Sequence, residues 1–150
     1  MATQVNPAFR GEAKSMVQRI TAAIGLCLIV VGLAGVMMPG LFGMHLSFTH
    51  NLMHLASGAL GFWTGYAENS KLAKRYCIAF GVAYGVLGVA GFIIGQPGYP
   101  AVGHLEAEQY LLRVIPNVLE FGGSDHLFHM LLSAALLFTG IFGQSEKTNK

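Results

Sequence analysis

Apolar positions in this chain gather into four long blocks instead of alternating with polar ones. Residues 20–38, 48–67, 76–103 and 126–145 contain no Asp, Glu, Lys or Arg. A helix of about 20 apolar residues crosses the roughly 30 Å hydrocarbon core of a bilayer. The pattern therefore predicts an all-α fold, an integral membrane four-helix bundle with spans at about 20–38, 48–66, 76–94 and 126–142. Breakers separate the blocks. Pro39-Gly40 closes the first, and the Gly- and Pro-rich stretch 95–100 closes the third. Residues 1–19 read as a lead before the bundle (20–143), and 144–150 as a tail.

The connection between the third and fourth spans is about thirty residues long, too long for a structureless loop in a compact domain. Leu105, Leu111, Leu112, Ile115, Val118 and Leu119 recur within it near helical spacing, interrupted at Pro116. This spacing predicts an interfacial helix lying over the mouth of the bundle.

Charge fixes an expected orientation. Only 11% of the 150 residues are charged, against the roughly 25% usual for a soluble domain. Arg10, Lys14 and Arg19 precede the first span, Lys71, Lys74 and Arg75 join the second to the third, and Lys147 and Lys150 follow the fourth. The other two connections hold a single basic residue, Arg113. Basic residues prefer the cytoplasmic side. The chain is thus expected to be a multi-pass protein of the cell membrane with both termini cytoplasmic and an uncleaved first span. The six histidines then fall toward the extracytoplasmic side. Cys27 and Cys77 read as buried, inert thiols.

A short phrase occurs twice. His50-Asn51-Leu52-Met53-His54 opens the second block, and Asp125-His126-Leu127-Phe128-His129 opens the fourth. With His54 set over His129, Ala59 falls on Ala134, Thr64 on Thr139 and Gly65 on Gly140. In the odd spans, Gly32-Leu33-Ala34-Gly35 matches Gly88-Val89-Ala90-Gly91. The bundle reads as two repeated helix hairpins, related by an axis along the membrane normal. Residues four apart share a helix face, so His50 with His54, and Asp125 with His129, point the same way.

If the second and fourth spans meet, His50, His54, Asp125 and His129 form a ligand set suited to a Zn, Cu or Fe ion. Asn51, His126, Glu120 and His104 would stand beside it as outer partners. Two alternatives use the same residues: a metal-free polar cluster, and a haem held by His54 and His129 as axial ligands. No catalytic motif accompanies the histidines, neither Gly-x-Ser-x-Gly, a phosphate loop nor HExxH. A non-catalytic role is the expectation. The expected partner is the lipid bilayer, with no nucleic acid. A homo-oligomer, or an accessory place in a larger membrane complex, is the reading from a different class.

Asn51-Leu52-Met53-His54-Leu55 with Gly58, Arg75-Tyr76 with Gly81 and Tyr84-Gly85, and Asp125-His126-Leu127-Phe128-His129 together resemble a bacterial four-helix membrane family catalogued as domain of unknown function 4383. The resemblance covers roughly residues 18–143. It implies the four-helix topology and no activity. His126 stands where the family pattern has Asn, and His50 lies outside that pattern.

Overall fold

The computed structural model describes residues 14–67 and 69–144; most of the expected lead (1–13) and nearly all of the tail (145–150) lie outside the described residues. Four helices form where the charge-free blocks are: α1 Met16–Met37, α2 Phe48–Tyr66, α3 Ser70–Ile94 and α4 Gly123–Phe142. Local chemistry sets their starts. The Ser47 hydroxyl accepts from the His50 N–H at the head of α2, and the Asn69 carboxamide accepts from the Lys71 N–H at the head of α3. Past Pro39, a tight 3-10 turn at Leu41–Gly43 reverses the chain, with Phe42 and Gly43 both at positive φ.

Three helices, α1, α3 and α4, are long and apolar enough to cross a membrane. The surface is inverted relative to a water-soluble bundle. Large aliphatic and aromatic side chains such as Val30, Leu33, Trp63, Val86, Ile93, Leu131 and Phe138 face outward, while Thr21, Ser57, Thr64, Ser133 and Thr139 are buried. Two of these hydroxyls are satisfied along their own helix, Thr21 donating to the Val17 carbonyl and Thr139 to the Ala135 carbonyl, while Ser133 donates across to the Gly81 carbonyl of α3. Cys77 is buried, with its Sγ 3.1 Å from Thr21 Oγ1. Cys27, expected inside, is exposed on the outer face of α1.

Helix α1 packs chiefly against α2, and α3 against α4; the two pairs touch each other far less. Missing side chains make the close pairing possible. A Cβ at Gly25 would fall on the Phe62 backbone nitrogen and lie 2.7 Å from the Gly58 carbonyl oxygen. One at Gly32 would meet Leu55 and the Asn51 carbonyl. In the other pair, Gly81 lies against Leu137, and Gly88 against Met130 and the His126 carbonyl. Backbone approach of this kind is how helices associate without a hydrophobic driving force. Gly25→Leu is therefore expected to force α1 and α2 apart and to destabilise the fold by about 1–3 kcal/mol. Denaturant or thermal unfolding in detergent checks this, with Val30→Leu on the exposed face as the control that should change little.

The connection after α3 is not the expected interfacial helix, so the fold is not all-α. It forms three antiparallel strands in the order β1-β2-β3: β1 Gln96–Gly98, β2 Glu108–Ile115 and β3 Leu119–Phe121. Gln96 pairs with Leu111, and Leu112 with Phe121. The leucine spacing was misleading because Pro116-Asn117 is a turn and not a helix break. Asn117 sits at φ 63°, and the Val118 N–H closes the turn on the Ile115 carbonyl. Tyr110, Val114 and Ile115 favour extended backbone. The sheet packs on the ends of α3 and α4 and drives Leu111, Leu119 and Phe121 inward.

Candidate functional site

At the end of the bundle where α2 and α4 begin, three imidazoles meet. His50 and His54 come from successive turns of α2 and His129 from the second turn of α4. All three are 1% exposed. One ring nitrogen of each lies within 4.8 Å of the others. The His50 ring centroid is 4.4 Å from that of His54 and 5.6 Å from that of His129. Aromatic side chains enclose them: Phe121 of β3 against His50 and His129, Phe128 against His54, and Tyr84 of α3 against His129.

Hydrogen bonding defines the state of one ring. The His50 Nδ1–H donates to the His45 carbonyl oxygen at 2.9 Å, which leaves the Nε2 lone pair free. His50 Nε2, both nitrogens of His54 and Nδ1 of His129 are buried and have no hydrogen-bond partner. A buried polar atom left unpaired costs roughly 1–3 kcal/mol.

The structure brings His50, His54 and His129 together and assigns Asp125 a different duty. The Asp125 carboxylate accepts from the backbone N–H of His45 at 3.1 and 3.2 Å, from the His45 Nδ1–H at 2.9 Å and from the Gly122 N–H at 2.8 Å. Its nearest approach to His50 is 3.8 Å, at Nδ1. Asp125 thus anchors the turn before α2 to the start of α4, as the third residue of its helix.

The partner that sequence reasoning missed is His45. Its ring is 1% exposed, and both of its nitrogens face acceptors, Asp125 Oδ2 and the His104 carbonyl oxygen at 2.9 Å. A neutral ring has one N–H to donate; only the cation satisfies both. Burial works against that charge, but the hydrogen bond and charge of Asp125, aided by Glu108 and the His104 carbonyl, outweigh it and raise the His45 pKa above its ordinary 6.5. Two glycines make room. A Cβ on Gly122 would meet the His45 ring, and one on Gly103 would meet the His45 backbone. The signal in the sequence was Asp125 itself, a carboxylate at the head of an apolar run with no Lys or Arg near it in the chain.

The other residues expected beside the site are dispersed. Asn51 packs against Gly35 and donates to the Leu46 carbonyl. His126 packs against Gly91 and donates from Nε2 to the Tyr110 carbonyl, fastening α4 to the sheet. His104 contributes its carbonyl to His45, while its half-exposed ring lies 3.4 Å from Glu106. Glu120 serves the sheet, accepting from the Ala101 and Asn117 N–H groups and pairing with Arg113 at 3.2 Å.

Burial opposes ionisation of Glu120, but these donors and the Arg113 charge overcome it and hold its pKa below the ordinary 4.5. The stabilisation is therefore complete above about pH 4.5 and is lost as pH falls through the lower folded-state value. Amide hydrogen exchange at Ala101 and Asn117 is expected to accelerate in that acid window and not between pH 6 and 8; a rate that follows only the intrinsic chemistry of exchange sinks the prediction.

The sequence pattern of the family described as Domain of unknown function (DUF4383) matches residues 18–142, which include α2, α3, α4, the sheet and all but the first four and last two described residues. The chain belongs to this family. The match takes in every residue of the histidine cluster and its His45–Asp125 support, so the site lies within the family's own domain. Neither the curated proteins nor the solved structures give a significant match.

Proposed function

We propose that this member of the DUF4383 family is a four-span membrane protein that holds one transition-metal ion in a tris-histidine site, with His50, His54 and His129 as ligands. The observation that carries the reading is the set of unpartnered, buried ring nitrogens converging from two helices. Three atoms 4.8 Å apart share a centre about 2.8 Å from each, so a shift of under an ångström per ring reaches the roughly 2.0–2.1 Å of a Zn–N bond. His50 already has the arrangement typical of a ligating imidazole, its second N–H fixed on a backbone carbonyl. Zn, Cu or Fe suits neutral imidazoles. A metal-free polar cluster is less favoured, because the three rings make no hydrogen bonds to one another.

Haem fits poorly. His50 and Phe121 pack directly against His54 and His129 and fill the space a macrocycle between those two rings would need. The closed aromatic surround argues for holding an ion rather than for hydrolysis at it.

The matched glycine contacts support two repeated hairpins: Gly32 against Leu55 in the first corresponds to Gly88 against Met130 in the second, and Gly35 against Asn51 to Gly91 against His126. On this reading the metal staples the two hairpins, which touch each other little, at their extracytoplasmic end, and both termini are cytoplasmic. Elemental analysis of detergent-purified protein tests it, with about one Zn, Cu or Fe per chain as the expected result. Metal-free protein that cannot be loaded, and that co-purifies with a large assembly, would favour an accessory subunit instead.

A further inference from the structure

A groove of about 350 Å³ runs between α1 and α2 at the end of the bundle opposite the histidines. Its head is cationic and its floor apolar. Lys14 and Arg19 stand at the head, and Ala22, Ala23, Leu26 and Phe62 line the length below. The cations are held in place by backbone. Lys14 Nζ donates to the Tyr66 and Ala67 carbonyls, and Arg19 Nε donates to the Lys14 carbonyl. The two terminal nitrogens of Arg19 carry four further N–H donors in a planar fork suited to phosphate. From Met16 to Leu26 the helix rises about 15 Å, about half a hydrocarbon core.

A water-soluble anion would use the head and leave that floor bare. An acyl chain would use the floor and leave the charges idle. A molecule with a phosphate at one end and a hydrocarbon tail matches both halves.

We propose that this groove binds an anionic phospholipid of the inner leaflet, its headgroup phosphate on Arg19 and Lys14 and one acyl chain along Ala22, Ala23, Leu26 and Phe62. The inference rests on the membrane part of the functional reading and is independent of the metal. Basic pockets between membrane helices on the cytoplasmic side are established places for such headgroups.

Protein reconstituted in nanodiscs of equal phosphatidylglycerol and phosphatidylcholine, then examined by native mass spectrometry, supplies the test. The intact chain is expected to retain phosphatidylglycerol in preference. Arg19→Gln should lower that preference about fivefold or more. Ala23→Phe, which fills the groove and leaves both charges intact, should lose the retained lipid. Both positions are exposed, and unchanged helix content by circular dichroism verifies folding. Equal retention of the two lipids, indifference to either substitution, or displacement of the lipid by inorganic phosphate alone would overturn the proposal. Extraction of the protein from membranes by alkaline carbonate would instead overturn the membrane reading on which it rests.

Discussion

Protein carrying both His54→Ala and His129→Ala is expected to purify without the one metal ion per chain proposed for the parent. The proposed ligand set has three members, and the double change leaves one imidazole, His50, too few to hold an ion in a buried site. Single changes should grade the effect. Loss of His50, His54 or His129 is expected to weaken binding by more than the roughly 10- to 100-fold typical of losing an outer partner. His129→Phe is the informative single variant, since it keeps an aromatic ring among Tyr84, Phe121 and Phe128 and removes only the nitrogens. His126→Ala and Glu120→Gln should leave stoichiometry unchanged, because their side chains serve the Tyr110 carbonyl and the sheet.

Stability gives a second reading of the same event. An ion at a hundred times its dissociation constant stabilises the folded state by about 2.7 kcal/mol. Added metal should raise the unfolding temperature of the parent chain and not that of the double variant. Full metal content in the double variant would refute the ligand assignment.

Asp125→Ala is expected to be the most damaging single change to stability, at about 3–5 kcal/mol. Asp125 is fully buried and takes hydrogen bonds from the His45 backbone, the His45 ring and the Gly122 backbone. Its removal leaves the buried His45 ring N–H and two buried backbone N–H groups without their acceptor. Asp125→Asn retains one acceptor oxygen and should cost less. The site should suffer with the fold, since His50 takes its orientation from the His45 carbonyl. Unfolding in detergent measures the loss, and hydrogen exchange at residues 44–46 should rise with it. An Asp125→Ala protein within about 0.5 kcal/mol of the parent would show that the pair is not the anchor described.

Much of this was open to reading from residues alone, and the failures have identifiable causes. The second helix occupies 48–66 as its charge-free run suggests, and α4 begins at Gly123, three residues ahead of the expected span. The repeated His-containing phrase marked the two helix starts that meet, and His50, His54 and His129 do converge. The error at residues 105–119 came from weighing leucine spacing above turn chemistry; Pro116-Asn117 decided the outcome. Asp125 was placed among the ligands because i,i+4 spacing puts it on the His129 face. Spacing identifies a shared face and says nothing of what lies opposite, and opposite Asp125 lies His45.

The sequence by itself determined the four helices, their breakers, the apolar character of three of them and the two places where polar side chains enter apolar runs. These are local properties, written in composition and period over twenty residues or fewer. Tertiary structure alone decided that Asp125 belongs to His45, eighty positions away, that Phe121 on a short strand closes the cluster, and that three imidazoles rather than a mixed set face one another. Those outcomes depend on how closely glycine-bearing helices approach and on how the pairs rotate about each other. No spacing within a single helix encodes that rotation.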